Sequence, residues 1–144
     1  MIKRFLANLK VPVIPFKQFH QLMHDQGASD KKILVKQVVE TLPELNFITL
    51  IFLLQFLKED VITNVNFNKM TAQNIAICFA PCLMRAEKAS AADLIYASKC
   101  AIVSRIFIDN FDFIFGDNKE RYEIFRKSQD KKEKETEKKI HENV

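Results

Sequence analysis

Few residues in this chain have the type and spacing for chemistry. His20 and His24 stand four apart, which on a helix puts two imidazoles on one face where a metal ion can bind. No third ligand has matching spacing and the Glu of a HExxH motif is absent, so surface or satisfied histidines are expected. Cys78 and Cys82 are also four apart, but no second Cys/His pair follows to complete a zinc site, and they read as small packed residues. With Cys100 the count is three, an odd number that points to reduced thiols in a cytoplasmic protein. No Ser/His/Asp or Cys/His arrangement, phosphate loop or metal cluster is supported by spacing. The chain is therefore expected to hold no catalytic centre of its own, no metal and no cofactor. What remains is Asn74, a mid-helix amide with poor helix propensity. Its side chain either bonds nearby backbone or is presented to a partner.

The element that must position Asn74 is the stretch NKMTAQNIAICFAPCLMR, Asn68 to Arg85. Ala72, Ile75, Ala76 and Phe79 recur at i, i+3, i+4 and i+7 and define one buried helix face. Asn68 is placed to cap the first turn, with Thr71 three positions on, and Pro81 is expected to end the helix near Ala80. Upstream, Met1 to about Lys10 reads as a helix with an Ile2, Phe5, Leu6, Leu9 stripe, broken at VPVIP. Pro15 can open the next helix at its first position, with Phe16, Phe19, Leu22 and Met23 inward. Gly27 ends that helix, and Ser29 or Asp30 caps another, whose buried side is Ile33, Leu34, Val38 and Leu42. Glu44 to about Asp60 is apolar almost all round and belongs at the centre of a bundle. An Asn-rich connector, Val61 to Phe67, follows. Ala91 to Phe115 reads as one long helix with Ile95, Ser98, Ile102, Ile106 and Phe113 inward and Gly116 as terminator.

Composition agrees with a single all-α domain. Hydrophobic residues make up 48% of 144, enough for a packed core, while 2 Gly and 4 Pro are too little punctuation for an all-β fold. The net charge of +4 is too small to argue for nucleic acid. The longest apolar run, Phe47 to Leu57, is interrupted by Thr49 and Gln55 and is too short to span a bilayer. The MIKRFLANLK segment lacks the apolar run of a signal peptide. Residues 117–144 form a charged tail, helical or disordered, with i, i+4 pairs such as Lys131–Glu135 and Glu135–Lys139.

Two motifs carry a resemblance. NKMTAQNIAICFAP is similar to the signature helix of Rho-family GTPase-activating domains, close to NKMTxxNLAxxFGP, and LPELNFITLIFLLQFL resembles that family's LPxxNxxTLxxLLxHL helix. IKRFLANLKVPVIPF resembles its LKxFLRxLPxPLIP stretch, and IVSRIFIDNFDFIF its last core helix. The resemblance covers residues 1–116, roughly the C-terminal two-thirds of the family domain. It implies a truncated all-α helical bundle. Three positions depart from the family pattern: Ala7 for a GTPase-facing Arg, Ala80 for Gly and Cys82 for Asn.

The resemblance implies binding to a GTP-bound small GTPase of the Rho, Rac or Cdc42 type, with Lys3, Lys69, Asn74 and Arg85 as contact residues. Members of the family place an arginine finger in a loop well before the Lys3 helix, and that loop has no counterpart in this sequence. Neither Arg4 nor Arg85 takes its place. Activation by this chain alone is therefore expected to be weak or absent. The alternative is a non-catalytic scaffold on the same bundle, as in the corresponding domain of phosphoinositide 3-kinase regulatory subunits. Membrane contact is expected only indirectly. Self-association is expected through apolar surface at Ile2, Phe5 or the central helix.

Overall fold

The computed structural model describes residues 1–25 and 30–143. Among these residues all regular structure is helical, as the all-α reading requires. In chain order the elements are α1 (Ile2–Ala7), α2 (Phe16–Met23), α3 (Lys31–Glu40), α4 (Glu44–Phe56), α5 (Val65–Asn68), α6 (Ala72–Leu83), α7 (Asp93–Asp109), α8 (Phe111–Phe115) and α9 (Lys119–Glu142). The expected stop at Gly27 and the alternative cap Ser29 lie outside the described residues. Asp30 does cap α3, its Oδ1 accepting the Lys32 backbone N–H at 3.0 Å.

α4 contributes heavily to the core. Its Phe47, Leu50, Ile51 and Leu54 are buried in one cluster with Phe19 and Met23 of α2, Val35 and Val39 of α3, and Phe107 and Phe115 of α7 and α8. Phe115 ties three elements together, its ring centroid 5.9 Å from that of Phe47, 6.2 Å from Phe107 and 5.1 Å from Phe111. Each such side chain contributes about 1.5–3 kcal/mol on burial. α6 runs along α7, and α1 packs on α6.

Several boundaries and faces differ from the sequence expectation. α1 stops at Ala7, and of its stripe only Leu6 is buried; Phe5 is 64% exposed. The regular part of α4 ends at Phe56 and winds on through π turns (Leu57–Val61) and a 3₁₀ turn (Ile62–Asn64), so the connector is itself helical. α4 also leaves Leu45, Phe52 and Phe56 exposed, because its core neighbours occupy only part of its circumference. In α3 the buried residues are Val35, Val38 and Val39, while Ile33 points to solvent. Pro15 precedes α2 instead of opening it.

The second half shows larger differences. Pro81 lies inside α6, which runs to Leu83. A proline removes only its own N–H, and the Met84 N–H bonds the Ala80 carbonyl at 3.1 Å, so the next turn closes. The expected long helix is two, broken at Asn110 (φ −117°, ψ 30°). Its inner face is Cys100, Val103, Ser104 and Phe107, not the Ile95, Ile102, Phe113 stripe, which is exposed. α7 carries apolar residues on two sides, so its periodicity fits two phases, and packing against α6 selects one. Gly116 follows the end of α8 as expected, but it is right-handed (φ −57°) and leads through a 3₁₀ turn into α9. The start of α9 joins the core: Tyr122 is buried, and Arg121 lies 5.4 Å from the centre of the Phe47 ring and 3.5 Å from a Glu44 carboxylate oxygen.

Candidate functional site

The site forms where the chain turns from α5 into α6. Asn-rich sequence builds this corner through side-chain-to-backbone bonds that compete with regular helix. Asn64 Nδ2 donates to the Asp60 carbonyl at 2.7 Å, and the Thr63 hydroxyl donates to the Glu59 carbonyl. Asn68 does not cap α6. It ends α5, its Nδ2 donating to the Val61 carbonyl at 2.7 Å while its Oδ1 accepts the Met70 N–H at 2.8 Å. Lys69 then reverses the chain in the left-handed region (φ 59°), a conformation uncommon for a residue with a Cβ. Its N–H bonds the Val65 carbonyl at 2.9 Å, and its Nζ donates to the Asn66 carbonyl at 2.8 Å. Thr71 is the cap of α6, its hydroxyl accepting the Asn74 N–H at 3.2 Å.

Asn74 thus sits in the first turn of α6, with its side chain exposed. Its Nδ2 is 3.5 Å from the Lys69 carbonyl, at the outer limit for a hydrogen bond, so most of its capacity faces solvent. Lys3 of α1 reaches α6: its Nζ lies 5.9 Å from the centroid of Phe79, five residues along from Asn74. That separation is about 7.5 Å along the helix axis. Ala7, at the position where the family pattern carries an Arg, presents a methyl group to solvent.

α1 is held on α6 by the segment that follows it. Asn46 of α4 donates Nδ2 to the Val13 carbonyl at 3.0 Å, and the Ile14 N–H bonds the Leu83 carbonyl at 2.9 Å. Arg85 closes this junction. Its Nη2 donates to the Leu9 carbonyl, and Nη1 is buried without a hydrogen-bond partner among the described residues. The structure therefore brings Lys69 together with Asn74 and sets Lys3 on the same helix, whereas Arg85 points into the junction behind α1. Arg105, not singled out from sequence, donates Nη1 to Gln73 Oε1 at 3.1 Å and pairs with Asp109 at 2.7 Å. An arginine thus stands beside the first turn of α6, a proximity that a separation of 32 positions hides from sequence reasoning.

His20 and His24 lie exposed at the surface, Cys78 is half-buried, and Cys82 and Cys100 are buried. The His20 and His24 rings stack at 5.6 Å, and His24 Nε2 is 3.4 Å from the Tyr96 hydroxyl. Among the described residues no three His, Cys, Asp or Glu side chains come together. Burial pushes the Cys82 thiol up, partly offset by the nearby Lys3 charge, and burial pushes Cys100 up to about 11. A largely apolar cleft of about 370 Å³ between α6 and α7 includes Ile77, Pro81, Tyr96 and Cys100, with Arg85 and Asp93 at its border. No helix among the described residues is long and apolar enough to cross a membrane.

The corner thus presents the exposed Asn74 amide near Lys69, with Lys3 of α1 lying against Phe79 farther along α6. Residues 1–88 match the RhoGAP domain, and the chain belongs to that family. Rho GTPase-activating protein 27 of Mus musculus is 39% identical over 89 residues, covering 60% of this chain and 10% of that protein. The probable Rho-type GTPase-activating protein 3 of Schizosaccharomyces pombe is 31% identical over 117 residues, 79% of this chain and 12% of that protein. The chain therefore spans about a tenth of the length of these relatives. The crystal structure of human Rho GTPase activating protein 15 superposes with a TM-score of 0.70 at 26% identity, covering 78% of this chain and 55% of that one. The BH domain of GRAF, the GTPase regulator associated with focal adhesion kinase, gives a TM-score of 0.67 at 27% identity, with 79% and 62% covered.

Proposed function

We propose that this chain binds a GTP-loaded small GTPase of the Rho, Rac or Cdc42 type, using α1 and the α5–α6 corner. Lys3 and Lys69 supply positive charge and Asn74 supplies amide hydrogen bonds. The observation that carries the reading is the exposed side chain of Asn74, whose backbone N–H is held in the first turn of α6 by the Thr71 cap, within the stretch matching the RhoGAP domain. Arg85 contributes by holding the end of α1, through its bond to the Leu9 carbonyl.

Binding and activation separate in this proposal. An arginine finger is worth about 10³–10⁵ in hydrolysis rate, or roughly 4–7 kcal/mol of transition-state stabilisation. Family resemblance puts that finger before the Lys3 helix, and no arginine of these residues corresponds to it. The chain on its own then binds the GTPase and accelerates hydrolysis little. The test is titration of this chain against GTPases loaded with GTP analogue or GDP, followed by single-turnover hydrolysis. Preference for the triphosphate form, weakened in Lys3→Ala and Asn74→Ala, is expected. Full acceleration by the chain alone would overturn the account of the finger.

Ala7 favours a second reading. With a methyl where the family pattern carries a cation, the same surface serves a non-catalytic scaffold. Equal affinity for the two nucleotide states would support that reading over the first.

A further inference from the structure

The same corner displays one large apolar side chain where nothing covers it. Phe67, third residue of α5 and two before Lys69, is 89% exposed. Single exposed apolar residues are ordinary, so exposure alone assigns no role. What distinguishes Phe67 is the backbone beneath it, because both neighbours in the chain are bonded. The Asn66 carbonyl accepts from Lys69 Nζ, and the Asn68 amide bridges Val61 and Met70. Val61, Ile62 and Met70 are partly buried against the core and give the corner a floor. The left-handed Lys69 is the kind of sparsely populated conformation that persists where its surroundings over-determine it.

A rigidly mounted aromatic loses little conformational entropy when it docks, since its backbone is already fixed and only two side-chain torsions remain. Its surroundings have the composition of an interface centre, with an apolar anchor and hydrogen-bonding groups beside it. Lys69, two residues on, and Asn74, seven residues on and bonded to the Lys69 carbonyl, supply those groups.

We propose that Phe67 is the apolar anchor of this docking surface. It packs against an apolar recess on the GTP-bound Rho-type GTPase, while Lys69 and Asn74 bond around it. The inference rests on the docking function proposed above and adds the residue that supplies its apolar contact. Leu94, 86% exposed near the start of α7, offers comparable apolar surface away from the corner and serves as the control.

The experiment measures affinity of this chain and its F67A, F67L, L94A and N74A variants for Rho-, Rac- and Cdc42-type GTPases loaded with a non-hydrolysable GTP analogue. Thermal melts check the fold. F67A is expected to lower affinity about tenfold or more with an unchanged melt, F67L to retain most of the affinity, and L94A to match the parent chain. Loss in N74A with none in F67A would overturn the anchor while leaving the docking function standing. Equal losses in F67A and L94A would also overturn it, by showing a general dependence on exposed apolar surface. Failure of the parent chain to bind any of these GTPases would remove the docking function, and the anchor with it.

Discussion

Replacing Asn74 by Ala should make the protein slightly more stable and a poorer binder. The stability side follows from three features of α6. The cap bond runs from Thr71 to the Asn74 backbone N–H, which Ala keeps. Among the described residues the side-chain bond of Asn74 is the 3.5 Å approach to the Lys69 carbonyl, too long to be worth much. Ala exceeds Asn in helix propensity by up to about 0.7 kcal/mol. The net expectation is about 0.5 kcal/mol of added stability, seen as a melting temperature higher by about 1–2 °C. The binding side follows from exposure, since an amide held out to solvent can form two interface hydrogen bonds. At about 0.5–1.5 kcal/mol each, their loss weakens affinity by roughly tenfold. Urea denaturation and calorimetric titration of one preparation test both sides. Destabilisation beyond about 1 kcal/mol would make Asn74 a structural residue, and unchanged affinity would place it outside the interface.

Three further outcomes are expected. Asn46→Ala removes the donor to the buried Val13 segment and should cost about 1–3 kcal/mol. Asn46→Asp should cost more, because a carboxylate would face the Pro12 and Val13 carbonyl oxygens, and a denaturation series in which it equals the parent would refute this role. Truncation after Asp130 should leave the melting temperature unchanged, whereas truncation after Gly116 removes buried Tyr122 and partly buried Phe125 and should cost about 2–3 kcal/mol or more; equal melts would place the fold boundary before α9. The Cys100 thiol, raised by burial, stabilises the fold fully below its ordinary value of 9.0, and that contribution is lost as pH rises through about 11. Urea denaturation across this window should show a shallower alkaline decline in Cys100→Ala than in the parent, and identical slopes would contradict the assignment.

How much of this was legible in the sequence differs by element. The helical class follows from local signals: Pro12 and Pro15 break the chain after α1, Asp30 bonds the N–H two residues on, and the apolar run of α4 has no length of polar face to expose. Asn74 and Lys69 came from the resemblance of the NKMT stretch, and the structure shows their local geometry set by bonds spanning five residues or fewer. Phe67 escaped notice, since nothing in its neighbours' types says whether a Phe faces the core or the solvent.

Tertiary packing decided the rest. The α7 sequence supports an Ile95, Ile102, Ile106 face as well as the observed Cys100, Val103, Phe107 face, and only the helices packed against it choose between them. Pro81 is tolerated because a helix can lose one N–H and still close its next turn, a balance that propensity alone does not resolve. The resemblance implies a contact role for Arg85, yet its guanidinium bonds Leu9, 76 positions away, while Arg105 reaches Gln73 across 32. Periodicity and capping act over three or four residues and so fix which helices form. Which face each one buries, and where a long cationic side chain finds its acceptor, is set by neighbours that only the folded chain brings within a few ångströms.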